Sequence, residues 1–371
     1  MKLGDMCRIE MGQSPQGNTC NIYGNGIPLL NGPTEFGSTH PLPAQWTTDP
    51  KKLAEAGDIL FCVRGSTTGR MNWADRQYAI GRGIASIQHK TPELNYFAWS
   101  IIKWKLDELL AIATGSTFPN VSKEMLNSLE IPNFTTHEQR KIVEILAPLD
   151  EKIVNNTKIN HHLEQMAQAI FKSWFVDYEP FVGNDFIESE LGKIPVGWHV
   201  GNIGDIVCLQ RGHDLPISAT VEGKYPVIGS KGIIAFHNEF TSEAPVIILG
   251  RSGNIGLPRY YNRDCWAHNT SIYSKKIFAA PLWVYFTLCQ IDYSVFRGGS
   301  AVPTLNRNHV ESWSIAIPPA EIQNDFHAAI EPLFFKLDVL EEESKHLAAI
   351  RDTLLPKLMS GELSVADLTA K

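Results

Sequence analysis

Apolar residues return at steps of three and four through the middle of the chain, at Ile142, Leu146, Leu149, Ile153, Leu163 and Ile170. A second set lies 184 positions further on, at Phe326, Ile330, Leu333, Leu337, Leu347 and Leu354. The same shift carries Gln139 onto Gln323 and Pro148 onto Pro332. This spacing marks one helix face, and sustained over such a length it predicts two long helices that pack as a coiled coil. Thr136 is the expected N-cap of the first, with Gln139 completing a capping box. Pro148 is expected to kink or restart that helix. Asn156 and Asn160 fall in the apolar register. They read either as partly exposed seam positions or as polar residues that fix the register.

The segments before and between the helices have a different pattern. Asp58 to Val63, apolar from Ile59 onward and flanked by polar turns, predicts a buried strand. It ends in the loop Arg64-Gly65-Ser66-Thr67-Thr68-Gly69-Arg70. Ile84–Ile87 predicts a further short strand, and Tyr96–Leu110 a helix packed on the sheet. The later segment repeats this plan. Ile203-Gly204-Asp205 matches Leu3-Gly4-Asp5, and Val246 to Leu249 runs into Gly250-Arg251-Ser252-Gly253-Asn254-Ile255-Gly256, the expected partner of Val63 to Gly69. Polar turns at 115–119 and 299–303 match at the shift of 184, and Ile317-Pro318 echoes Ile131-Pro132.

A repeat at this scale means one supersecondary unit used twice. The expected fold is therefore mixed α/β. Two similar globular domains, residues 1–136 and 196–318, are separated by a central helix at 137–175 with a linker at 176–195, and by a C-terminal helix and tail at 319–371. Neither helix can bury its apolar stripe alone. Pairing them antiparallel gives an internal pseudo-twofold repeat, with a strut of about 35 residues spanning on the order of 50 Å. That is the length of about 15 base pairs of B-form DNA.

Charge adds a qualification. The formal net charge is −7. Residues 1–136 hold 12 basic and 12 acidic groups, and residues 196–318 hold 10 and 8, so the acidity belongs to the helical stretches. Neutral to slightly basic domains permit contact with DNA without demanding it. The six cysteines include no C-x-x-C pair and read as reduced thiols. No signal peptide or long apolar span is visible, so a cytoplasmic protein with no membrane partner is expected.

Catalytic motifs are missing. There is no phosphate-binding G-x-x-x-x-G-K-[ST], no H-E-x-x-H and no G-x-S-x-G. Ile317-Pro318-Pro319-Ala320 lacks the polar first and aromatic last residue of the adenine-methylating Pro-Pro element, and His161-His162 has no third ligand at metal spacing. Neither catalytic nor metal-binding residues are assigned. The two arginine-bearing loops remain. Each is open to three readings: a tight turn with a solvated arginine, a backbone cradle for a phosphate, or a contact to nucleic acid, with arginine on a guanine edge and hydroxyls on phosphates. The candidate DNA-binding residues are Arg64, Ser66, Thr67, Arg70, Arg76 and Arg82 in the first domain. In the second they are Arg251, Ser252, Asn254, Arg259, His268 and Asn269.

The run Phe171-Lys172-Ser173-Trp174-Phe175-Val176-Asp177-Tyr178-Glu179-Pro180 and the segment Glu190-Leu191-Gly192-Lys193-Ile194-Pro195-Val196-Gly197-Trp198 are more specific. So is Arg351-Asp352-Thr353-Leu354-Leu355-Pro356-Lys357-Leu358-Met359-Ser360-Gly361-Glu362-Leu363. With Leu3-Gly4-Asp5 and the duplicated layout, the whole chain resembles the specificity subunit of type I restriction-modification enzymes. The resemblance implies two target recognition domains that each read part of a split sequence in double-stranded DNA. It implies helices that set the spacing and dock two modification (methyltransferase) subunits. It also implies restriction subunits in the full complex. No cofactor is expected on this chain; S-adenosylmethionine would sit on the modification subunits, and ATP and Mg on the restriction subunits. The subunit would be non-catalytic. The alternative is a non-enzymatic coiled-coil adaptor presenting two protein-binding domains.

Overall fold

The apolar run near residue 60 is a strand with no exposed side chain, Ile59–Cys62. Its side chains alternate between two clusters, as the two-residue period of a strand requires. Ile59 and Phe61 enter a core shared with helices, while Leu60 and Cys62 face Leu30, Tyr78 and Ile80 of a second, five-stranded sheet. The computed structural model describes residues 1–113, 119–296 and 304–364; the expected turns at 115–118 and 299–303 lie outside them.

The chain divides into two units, Met1–Lys158 with Leu340–Lys371, and Ile159–Val339. The first contains an antiparallel sheet of β1 (Cys7–Met11), β2 (Ile59–Cys62), β3 (Met71–Trp73) and β4 (Ile84–His89), in the order β1–β4–β2–β3. The helix Asn95–Trp104 covers it, and Lys105 ends that helix before a short one at Leu106–Ala111. The second unit has β5 (Val207–Arg211), β6 (Val246–Gly250), β7 (Arg259–Tyr261) and β8 (Ser271–Ile277), in the order β5–β8–β6–β7. Corresponding strands thus take corresponding places in both sheets. Ile247 and Leu249 face a helical core, and Val246 and Ile248 face a smaller cluster with Ile228 and Cys265. Within 176–195 the chain forms a hairpin, Phe186–Ser189 with Gly192–Pro195.

Two long helices, Thr136–Phe175 and Ala320–Ser360, run through both units. The cap of the first is Thr135, not Thr136. Thr135 N–H donates to Glu138 Oε2 at 2.7 Å, and Glu138 N–H donates back to Thr135 Oγ1 at 3.3 Å. Both frames fit the capping-box pattern, but a carboxylate accepts more strongly than an amide. Gln139 instead turns inward and donates to Phe134 O at 3.1 Å. Nor does Pro148 restart the helix, which is continuous through it.

The helices pack on each other in each unit. In the first, Ile142 and Leu146 share a core with Leu355, Leu358 and Met359, and burying each such side chain is worth about 2 kcal/mol. Leu149, Ile153, Leu347 and Leu354 are half-buried. Contacts of Asp150 with Arg351 and of Asn156 with Ser344 run antiparallel. Asn156 is fully buried, and its Nδ2 donates to Glu343 Oε2 at 2.7 Å and Ser344 Oγ at 3.2 Å, so it is not a partly exposed seam position. In the second unit Phe171, Trp174 and Phe175 surround the buried Phe326. Ile330 and Leu337 are buried there, and Leu163, Ile170 and Leu333 half-buried. Among the described residues no helix is long and apolar enough to cross a membrane.

Candidate functional site

In each unit the central strand delivers the chain to a polar loop at the edge of the sheet. In the first, Val63 is the last buried residue, and its carbonyl accepts from Val121 N–H at 2.8 Å. Arg64 then pairs with Asn120 as an isolated bridge and is exposed, as are Ser66 and Thr67. The loop is braced from inside. Thr68 Oγ1 donates to Gly65 O and Pro119 O, both at 2.8 Å. Gly65 has φ +100°, a left-handed conformation that favours glycine.

Two other candidate arginines of this unit have their side chains engaged within the fold. Arg70 donates to Pro33 O at 3.3 Å and Phe36 O at 3.4 Å, and its guanidinium lies 5.9 Å from the centre of the Phe36 ring. Arg76 pairs with Asp75 at 3.0 Å. Arg82 is exposed, and its backbone N–H donates to Ser14 Oγ at 3.3 Å.

In the second unit the hydrogen bonds correct the expected correspondence of the loops. Arg251, not Gly250, takes the place of Val63: its carbonyl accepts from Leu305 N–H at 2.7 Å, and Ser252 forms the bridge to Thr304 that Arg64 forms to Asn120. The register agrees. Cys62 lies opposite Ile84 and Gly250 opposite Ser271, while Gly12 N–H donates to Ile84 O and Gly212 N–H to Ser271 O. A Cβ on Gly12 or on Gly212 would stand 2.1 Å from a backbone oxygen, so both strands leave the sheet by the same close approach. Arg64 therefore corresponds to Ser252. Sequence alone aligned the two arginines because the glycines and hydroxyls around them match almost as well one position out of step.

The consequence is a cleft of about 450 Å³ lined by Arg211, Arg251, Ile272, Thr304, Leu305, Asn306 and Arg307. Arg251 is half-buried; burial, and next the nearby charge of Arg211, pull its guanidinium below the usual arginine range. Arg307 Nη1 donates to Leu209 O at 3.0 Å. Arg211 and Arg307 were missed in the sequence because each lies far along the chain from the loop; the basic residue closing β5 was the available signal. Elsewhere in this unit, Arg259 Nη1 donates to Ser230 O at 3.2 Å, and Asn254 Nδ2 to the same oxygen at 3.5 Å. His268 Nδ1 bonds Thr270 Oγ1 at 2.9 Å, and Asn269 donates to Asp214. Among the described residues no three His, Cys, Asp or Glu side chains are grouped to hold a metal.

The chain also has measurable kin. The family model described as type I restriction modification DNA specificity domain matches residues 1–165 and again residues 195–347. The MjaIX specificity subunit of Methanocaldococcus jannaschii, a type I restriction enzyme subunit, is 31% identical over 348 residues, covering 85% of this chain and 80% of its own. The HindI specificity subunit of Haemophilus influenzae is 24% identical, covering 89% of this chain and 90% of that one. The crystal structure of a type I restriction-modification S subunit from M. genitalium superposes with a TM-score of 0.64 at 21% identity, covering 97% of this chain and 95% of that one.

Proposed function

Because the chain belongs to the family of type I restriction-modification specificity subunits, we propose that its two units each read one half of a split target in double-stranded DNA. One observation carries this reading. A single family model matches the chain in two successive segments, and each segment holds the same four-stranded sheet with a polar loop at the end of its central strand. The subunit supplies specificity and leaves the chemistry to partners. Two modification subunits holding S-adenosylmethionine would flip and methylate the target adenines, and restriction subunits using ATP and Mg would complete the enzyme in the cytoplasm.

Within this reading the domains at 1–136 and 196–318 are target recognition domains, related as an internal pseudo-twofold repeat. The helices at 137–175 and 319–371 are the spacer, and the segment at 176–195 links them to the second reader. Arg64, Ser66, Thr67 and Arg82 offer exposed contacts in the first unit, and Arg251, Ser252 and Asn254 offer contacts in the second. Arg70, Arg76, Arg259, His268 and Asn269 shape the loops that present them. The test is to expose DNA to the complex of this chain with its modification subunits and map the methylated adenines. Methylation confined to two short defined sequences separated by a constant undefined gap is expected; methylation with no such split would refute the reading.

A further inference from the structure

We propose that Arg211, Arg251 and Arg307 of the second unit clamp one phosphate of the DNA backbone, and that the described residues of the first unit form no equivalent clamp. This rests on the reading of the chain as a DNA-binding subunit and goes beyond it by separating what holds the duplex from what reads it.

The corresponding positions of the first unit follow from the register. Met11 closes β1 where Arg211 closes β5, since Met11 lies opposite Ala85, Arg211 opposite Ile272, and each is followed by the close-packed glycine. Val63, with no exposed surface, stands where Arg251 stands. Lys123 begins the short helix Lys123–Ser128 as Arg307 begins Arg307–Glu311, and it stands 4.0 Å from Glu10. The first unit therefore fills this place with apolar side chains and a lysine beside a carboxylate. The second unit fills it with three guanidinium groups.

Such a grouping is unfavourable unless something compensates it. Two guanidinium groups repel, and the half-buried one has lost part of its hydration. Among the described residues neither Arg211 nor Arg251 forms an ion pair with a carboxylate. Arg251 cannot swing its backbone away, because its N–H donates to Thr270 O at 2.9 Å and its carbonyl accepts from Leu305. Arg307 is held by Leu209 O. The cleft thus gathers positive charge, with the Arg251 backbone and the Arg307 side chain held in place and Arg211 exposed beside them, and the guanidinium fork matches phosphate geometry. A guanine edge fits less well. One arginine already satisfies its two acceptors, and three cationic residues lining one cleft call for an anion of full charge.

The test compares the assembled complex carrying Arg211→Ala, Arg251→Ala, both together, or Arg251→Lys. Binding is measured on the target duplex and on a scrambled duplex across a range of salt. Either single alanine variant is expected to weaken binding to both duplexes alike, by about tenfold, and to lower the salt slope by no more than about one. The double variant should lower that slope by no more than about one, since one phosphate is lost. Arg251→Lys should keep the slope, which separates loss of charge from damage to the fold. Relaxed specificity at an unchanged slope would overturn the clamp in favour of base reading, and a slope drop near two in the double variant would overturn the single shared phosphate. If the unaltered complex fails to bind DNA at all, it is the underlying reading that falls.

Discussion

Arg351 of the C-terminal helix pairs with Asp150 of the central helix, and the other oxygen of that carboxylate accepts the Tyr96 hydroxyl at 2.6 Å. The ion pair is largely buried, with side-chain exposures of 17% and 25%. It joins both long helices to the helix that covers the first sheet. Removing one member leaves a partly buried charge behind, so Arg351→Ala should cost about 2 kcal/mol. At the shift of 184 the second unit has Phe334 and Ala167 in the places of Asp150 and Arg351, with Phe334 packed 5.8 Å from Tyr285. Installing that apolar solution, Asp150→Phe with Arg351→Ala, should cost less than Arg351→Ala alone. Chemical denaturation of the three proteins checks both statements.

Asp58 is buried, and burial raises its carboxyl pKa above the usual value despite hydrogen bonds from Ser86 Oγ and Glu55 N–H. A raised folded pKa means that ionising this acid opposes folding. Its cost is absent below the unfolded value near 3.8 and reaches its full size only above the raised folded value. Asp58→Asn keeps an acceptor and abolishes the titration. The variant should gain stability relative to the parent as pH rises from 4 toward neutrality, and thermal unfolding at a series of pH values would show whether the two curves diverge in that sense.

The parts of the fold legible in the sequence were those fixed by local period. Ile142 to Leu354 announced the paired helices because a 3.6-residue rhythm survives any exchange of one apolar residue for another. The strand at Ile59–Cys62 announced itself because no polar residue interrupts it. The five-stranded sheet and the hairpin at 186–195 were not visible, since their strands are two to four residues long and borrow their order from neighbours. At the site, sequence found the loops but placed Arg251 one position out of register. Loop composition cannot reveal which carbonyl Leu305 will engage, and that hydrogen bond decides whether a side chain enters the cleft or leaves it.

Met166 and Ile350 are related by the same shift of 184, and both are exposed apolar side chains on the long helices, at 52% and 48%. Water gains nothing from them, and their recurrence at equivalent positions suits two copies of one partner. Introducing a charge at such a contact is strongly unfavourable once it is desolvated. If the chain docks two modification subunits as proposed, Met166→Glu should weaken docking of one and Ile350→Glu that of the other, each leaving a complex with a single modification subunit. Native mass measurement of the assembled complexes checks the stoichiometry; two full partners in both variants would exclude this surface.

The equal shift through both helices carries a geometric prediction as well. If the helices act as the spacer between two readers, their length and not their surface chemistry sets the gap between half-sites. One helical turn adds about 5.4 Å, which corresponds to between one and two base pairs at about 3.4 Å per step. The insertion must be made in both helices, because lengthening one alone would break the antiparallel register that Asn156 holds against Ser344 and that Asp150 holds against Arg351. Placed beyond those contacts in each helix, a matched insertion should widen the undefined gap and leave both recognised half-sites unchanged. Methylation mapping of the elongated protein in complex with its modification subunits decides the point: an unaltered gap would separate the helices from the measurement of distance, whatever else they support.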